Sequence, residues 1–248
     1  MSESCRNIFI IAKRELGGFF ASPMAYVFTI IFLLLSGFFT FMVGRFFDQG
    51  QATLEPFFMW HPWLFLVLVP AVGMGLWAEE RRVGTIELLL TMPVSPWQAI
   101  LGKYLASWAF LAITIILTFP VWITVNYLGD PDNGVIFAGY VGSLLMGGAF
   151  LSVTCATSAM TRSQVISFIV SVVACLFLIL AGWPPVTDFI SSHASQWTVD
   201  LVASFSVMPH FENFQLGILD SRDVLFFLTL IGFPLFVASA ILRNLRAS

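Results

Sequence analysis

The sequence predicts an all-α polytopic membrane protein. It is expected to have six transmembrane helices, an N-terminal interfacial amphipathic helix, a short helix on the cytoplasmic side, and outer re-entrant or interfacial helices between spans five and six. Three observations predict this class. The chain of 248 residues is 58% hydrophobic and only 10% charged, with a mean hydropathy of +0.92, whereas soluble domains carry about 25% charged residues. Six windows hold no Asp, Glu, Lys or Arg: 16–44, 56–78, 104–129, 133–161, 163–187 and 224–242. Each has at least 19 residues, and a span needs about 20. Finally, the charges sort by side. With both termini inside, Arg6, Lys13, Arg14, Arg81, Arg82, Lys103, Arg162, Arg243 and Arg246 lie on the inner side, and only Arg45 and Arg222 on the outer. This positive-inside bias orients the bundle. Asp48, Glu55, Asp130, Asp132, Asp188, Asp200, Glu212, Asp220 and Asp223 fall outside. The chain reads as one membrane domain over residues 1–248, multi-pass, with cytoplasmic termini.

The first element is the amphipathic segment 6–22. Phe9, Ala12, Leu16, Phe19 and Phe20 fall near helical spacing, with Lys13, Arg14 and Glu15 among them. That pattern suits a helix lying in the interface. Gly17–Gly18 and Ser22-Pro23 are expected to break it and start the first span. The polar, charged start argues against a cleaved signal peptide. The second span opens His61-Pro62-Trp63 and contains Pro70, Gly73 and Gly75, so it is expected to bend.

Between spans two and three lies the most informative stretch, within 79–98. Glu79, Glu80, Arg81 and Arg82 stand side by side. At the centre of a spanning helix they would cost on the order of 10 kcal/mol together, so they must reach water or the interface. Gly84 gives a flexible break, and Thr85 can cap a short helix with Glu87 in its first turn. Pro93 ends that helix. Ser95 then reads as a cap, with Pro96 at the first helical position of the next span. The charge-free stretch 88–102 is short and cut by two prolines. It is expected to stay at the surface or merge into span three.

In the fourth span, Gly148, Ser152 and Ala156 recur every four residues, beside Ser143 and Gly147. Small residues on one stripe permit close helix approach, here read as internal packing. The last outer segment, 184–223, holds two apolar runs of eleven residues, 189–199 and 201–211, too short to cross. His210, Phe211, Phe214 and Gly217 follow, read either as a cap over the bundle or as an outer gate.

Several chemistries are not expected. There is no Walker loop, HExxH helix or G-x-S-x-G elbow, so no catalytic residue is assigned. His61, His193 and His210 show no ligand spacing, and no metal site is expected. Cys5, Cys155 and Cys175 read as packing residues. The spans are expected to hold no buried Asp, Glu, Lys or Arg, which argues against a proton- or sodium-coupled pump. Energy for any movement would come from outside the bundle.

Family resemblance starts at Glu79-Glu80-Arg81-Arg82-x-Gly84-Thr85-x-Glu87-x-Leu89-Leu90, with Pro93-x-Ser95 and Gly102-Lys103. This pattern resembles the permease subunits of type-2 ABC exporters. Further stretches are similar to the gliding-motility branch: Arg14-Glu15-Leu16 with Phe19, Phe20, Ser22 and Pro23; Phe32-Leu33 with Gly37 and Phe41; and His210-Phe211, Phe214 and Gly217 with Arg222-Asp223. The resemblance implies a permease working as a dimer with a second copy or a paralogue, in the bacterial inner membrane. It implies two separate ABC ATPase subunits, which would carry ATP and magnesium, so that this chain itself has no cofactor and no enzymatic activity. It also implies a coupling helix near 84–92, with Glu79, Glu80, Arg81, Arg82, Gly84, Thr85, Glu87 and Leu88 at the ATPase-coupling surface. Segment 8–20 becomes the interfacial connecting helix. Membrane lipid and a periplasmic or membrane accessory protein are further expected partners, and nucleic acid is not. Two other readings stay open. One is an ATPase-driven scaffold that transmits force or signal to a periplasmic partner without cargo; the other is an enzyme site around His193 and His210.

Overall fold

A computed structural model of the chain describes residues 3–48, 50–86, 94–193 and 195–247. Among them every regular element is helical. Helix α1 spans Glu3–Ala21 and α2 spans Pro23–Phe38, ending in a π turn at Phe39–Val43. Then come α3 (Glu55–Phe58), α4 (His61–Gly73), α5 (Gly75–Val83), α6 (Pro96–Ile116), α7 (Phe119–Leu128) and α8 (Asn133–Met160). The remainder are α9 (Gln164–Leu180), α10 (Pro184–His193), α11 (Gln196–Ala203), α12 (Met208–Gln215) and α13 (Ser221–Ala247).

Among the described residues, five stretches are long and apolar enough to cross a membrane: Pro23–Val43, Glu55–Val83, Pro96–Leu128, Asn133–Met160 and Ser221–Asn244. The sixth window expected, 163–187, is not one helix: it holds the 17 residues of α9, a break at 181–183 and the start of α10. Its helix ends because Gly182 and Trp183 lie outside helical structure, and Pro184 cannot donate to a helix continuing from the preceding turn.

The helix starts follow local chemistry. Ser22 accepts a bond from the Met24 amide at 3.3 Å, with Pro23 at the first helical position. Gly17 and Gly18 do not interrupt α1 as expected. Glycine weakens a helix by only about 1 kcal/mol, so the true stop is Pro23. At Ser95 the capping box is complete: the Gln98 amide donates to Ser95 Oγ at 3.2 Å, and the Ser95 amide donates to Gln98 Oε1 at 3.1 Å. Asp132 accepts from the Gly134 and Val135 amides to open α8.

Helix α8 is the central post, with α4, α5, α6, α9, α12 and α13 packed on it. Its small residues are the reason. A side chain at Gly139 would strike Phe58, at Gly142 Phe214, at Gly147 Leu111 and at Gly148 Trp108. Each glycine is a notch filled by one bulky neighbour, so the small-residue stripe packs internally. Tyr104 adds a bond from its hydroxyl to the Gly148 carbonyl at 3.1 Å.

Helix α1 runs beside α6 in the same direction. Ser4 meets Gln98 at 2.9 Å, Ile11 lies against Gly102, and Phe19 stacks on Phe110 at 5.3 Å. In the segment 184–223, helix boundaries cut across the two apolar runs expected from the sequence. Residues 204–207 turn and Pro209 sits in the first turn of α12, while Ser195, extended, starts α11.

Candidate functional site

The site is built at the end of the bundle where α5 stops, α6 starts, α8 stops and α9 starts. Consecutive helical residues are turned by about 100°, so four charges in a row at the end of α5 must face four directions. Each finds a different partner. Glu79 accepts from Arg82 Nε at 2.9 Å and from Gln164 Nε2 of α9 at 2.6 Å. Glu80 reaches Lys103 of α6 at 2.8 Å. Arg81 donates to the Ala159 carbonyl in the last turn of α8 at 2.5 Å, where helix carbonyls lack partners and the dipole favours a cation. Arg82 turns outward, its side chain 64% exposed.

Lys103 is the hub. It is buried, with 5% of its surface accessible. Its ammonium lies 2.8 Å from Glu80 and 3.3 Å from Glu15 of α1, and 5.4 Å from the Trp77 ring centre. An ammonium has three donors; two go to carboxylates and the aromatic face fits a cation–π contact. One side chain thereby joins α1, α5 and α6. Arg14 backs Glu15 from outside at 2.7 Å. Burial raises the Glu15 carboxyl, but Lys103 and Arg14 together outweigh it and hold it below the ordinary 4.5. The expectation of no buried charge is corrected here. Lys103 lies one residue before the charge-free window 104–129 and inside the candidate span Pro96–Leu128, and it is paired, as charge within a span usually is. Asp223, at the other end, is buried too.

Just above the charges the second span is broken at Met74, between α4 and α5. The break frees backbone groups, and a neighbouring helix satisfies them. Ser158 Oγ of α8 accepts from the Trp77 and Ala78 amides at 3.0 Å each and donates to the Met74 carbonyl at 2.8 Å. Ser158 therefore caps α5 across the bundle, as the membrane interior demands. The expected bend falls at a one-residue interruption of the helix, where Met74 keeps helical dihedrals (φ −57°, ψ −32°) and Ser158 supports the freed groups.

Beyond the break, Gly84 ends α5 in the left-handed region, φ +82°, and Val83, Gly84 and Thr85 are exposed. Thr85 is already helical, and its hydroxyl donates back to the Glu80 carbonyl at 3.5 Å. Glu87 and Leu88, expected at the same surface, lie outside the described residues. Lys13 and Arg14 are exposed on α1, and Glu15 is half-buried.

At the opposite end, His210 and Asn213 of α12 both hold Asp223 of α13, at 2.6 and 3.0 Å. Phe211 and Phe214 are fully buried. Gly217 turns with φ +79° against Val135. Of the three cysteines, Cys155 and Cys175 are buried as expected of packing residues, and Cys5 is exposed. Among the described residues no three His, Cys, Asp or Glu side chains are placed to hold a metal ion.

The sequence singled out Glu79, Glu80, Arg81 and Glu15 but not what joins them. Gln164 and Ser158 were missing, and Lys103 was named only in the family pattern and among the inner charges, with no joining role. A lysine one step outside an apolar window, and a serine in the run Thr154, Thr157, Ser158 facing a Gly-Met-Gly break, were the available signals.

A family model described as ABC-2 family transporter protein matches residues 62–242, from α4 into α13. The chain belongs to the ABC-2 transporter family. No curated protein is similar enough to match. An ABC-2 chain of this kind is a multi-pass membrane permease subunit, and family membership implies an ABC ATPase as its partner.

Proposed function

We propose that this chain is the permease subunit of an ATP-driven transporter, in which separate ATPase subunits dock at the surface formed by Arg82, Val83, Gly84 and Thr85. The observation that carries this reading is mechanical. Helix α5 is tied to α6, α8 and α9 through Glu80, Arg81 and Glu79, and it begins at the Met74 break that Ser158 supports, which in this reading serves as its pivot. A displacement at Gly84 passes as a rigid movement of α5 to the hinge and, through Lys103, to α1.

In this reading α9 crosses as the sixth span. Its 17 residues reach about 26 Å, close to the roughly 30 Å hydrocarbon core, and six crossings put both termini on the basic side with Arg81, Arg82, Lys103 and Arg162. That side is cytoplasmic by charge bias, and the membrane is the bacterial inner membrane. ATP and magnesium belong to the ATPase subunits. A second copy or paralogue completes the pathway, lipid surrounds it, and the outer end around His210, Phe211, Phe214 and Gly217 is the outer gate. The gliding-motility branch is the subfamily whose motifs the sequence fits, and a periplasmic or membrane accessory protein is a partner in keeping with it. A force-transmitting scaffold shares the same docking surface; the exposed outer helices α10 and α11 favour it as the second reading.

The experiment is co-reconstitution with the ATPase. Ile86→Pro, at the base of the docking segment, is expected to leave ATP hydrolysis running while vectorial movement stops. Coupled movement in that variant would refute the reading.

A further inference from the structure

A groove of about 890 Å³ runs between α1 and α6, with Leu144 of α8 at its edge. On α1 it is lined by Ile8, Phe9, Ala12 and Leu16; 8, 12 and 16 recur every four residues, so they share one face of the helix. On α6 it is lined by Ala106, Ala109 and Ala112. Three methyl side chains, three residues apart, leave the trough. Trp108 gives it a fixed wall, because its indole donates to the Leu144 carbonyl at 3.0 Å. The volume is that of a ligand site, and the one charged residue lining it is Lys13.

Lys13 stands on the rim. Arg6 lies seven residues earlier, two turns and about 10 Å away on the same edge of α1. Both are exposed, and among the described residues neither has an ion pair. The other charges nearby are spoken for: Arg14 holds Glu15, and Glu15 holds Lys103. Depth follows from length. Helices α6 and α7 form a stretch of 33 residues, at most about 50 Å, against a hydrocarbon core of about 30 Å. Roughly 10 Å at each end therefore stands at headgroup level. Ile11 lies against Gly102, which sets Lys13 about 10 Å from the start of α6. Lys13 is thus at the boundary between headgroups and acyl chains.

We infer that this groove holds an acyl chain of an anionic phospholipid of the inner leaflet, with the lipid phosphate on Lys13 and Arg6 adding to the attraction. An alanine trough at this depth takes hydrocarbon. An unpaired ammonium at its rim takes a phosphate, through a charge-assisted bond, and anionic lipid is drawn to basic residues at the cytoplasmic surface. A zwitterionic lipid brings its own cation towards two others, and a soluble anion leaves the trough empty. The bound lipid backs the helix that carries Glu15 to Lys103. The inference deepens the membrane-subunit reading and rests on it only for placing α1 in a bilayer; binding needs no ATPase.

The test is photolabelling of the full-length purified chain in phosphatidylcholine bilayers. The probe is phosphatidylglycerol with a diazirine on one acyl chain, compared with phosphatidylcholine bearing the same chain. Each basic residue near the headgroups is worth about fivefold in affinity. Phosphatidylglycerol is therefore expected to label peptides containing Ile8–Leu16 and Ala106–Ala112 with half-saturation at least about tenfold below phosphatidylcholine. Lys13→Arg should keep that preference, and the double change Arg6→Gln with Lys13→Gln should bring the two lipids within about twofold. Ala109→Trp, which fills the trough, should abolish labelling of these peptides. Equal half-saturation in the wild type, labelling that survives Ala109→Trp, or an equal preference at the exposed Leu34 of α2 would overturn the inference. So would absence of label together with cross-linking of two copies through the exposed Cys5, which would make the groove a contact between copies. Should Ala109→Trp fail to fold, the charge variants and the comparison with Leu34 decide without it. Failure here leaves ATPase docking untouched, and loss of ATPase docking leaves this result standing.

Discussion

Ser158→Ala is the most informative single change in this molecule. It removes one oxygen from a site with no solvent access and strands three backbone groups: the amides of Trp77 and Ala78 and the carbonyl of Met74. Hydrogen bonds of this kind inside membrane proteins are worth about 0.6 kcal/mol on average and up to about 1.7. Unpaired buried groups cost about 1–3 kcal/mol in soluble proteins. Three losses, partly relieved by movement at the break, come to about 2 kcal/mol. The direct assay is amide hydrogen exchange in bilayers. A local cost of about 2 kcal/mol corresponds to roughly thirtyfold faster exchange, and it should fall on Trp77 and Ala78 while mid-α8 amides stay protected. Unchanged exchange at Trp77 and Ala78 would refute the claim that Ser158 supports the break.

Three further outcomes follow from the same geometry. Lys103→Met leaves Glu15 and Glu80 without their shared cation; allowing for the carboxylates' partial exposure, the loss is about 2–3 kcal/mol, measured by reversible unfolding in mixed micelles. The double change with Glu80→Met should cost less than the sum of the two single changes, and additivity would contradict the pairing. Glu15 is held below its ordinary value when folded, so its contribution is full above 4.5 and fades as pH falls through the lower folded value; Glu15→Gln should flatten the acid limb of stability, and an unchanged limb would count against the α1–α6 tie. Gly84→Val forces a β-branched residue to φ +82°, costing about 1–3 kcal/mol locally, and should weaken ATPase stimulation more than global stability.

Much of this arrangement was legible in the sequence, for local reasons. Ser95 and Pro96 are adjacent, so the cap and first helical position of α6 can be read directly; Gln98, which completes the capping box, was not singled out. Pro70, Gly73 and Gly75 announce a bend because they act on their own backbone. The glycines and serines of α8 announce close packing because small size is a property of each residue. What was not legible depends on residues far apart. Glu15, Glu80 and Lys103 are separated by 65 and 23 positions, and no periodicity connects them. The four charges at 79–82 are expected in water or at the interface; that Glu80, Arg81 and Glu79 are instead tied inward is not legible, because their partners Lys103, Ala159 and Gln164 come from three other helices. The length of α9 was overestimated because charge-free windows count residues without asking where Pro184 stops a helix. Continuity of α1 through Gly17 and Gly18 was missed because a weak helix former was read as a breaker.

The account turns on whether an ATPase grips the end of α5. The chain, tagged at its C-terminus, should be purified gently from native membranes beside a variant carrying Val83→Asp and Thr85→Arg. Both positions are exposed and Val83 has no bonded role, so the variant should fold normally. The account predicts a stoichiometric ABC ATPase with the parent chain and its loss, by at least about tenfold, with the variant. An ATPase retained at full stoichiometry by the variant, or none with the parent in several detergents, would contradict it.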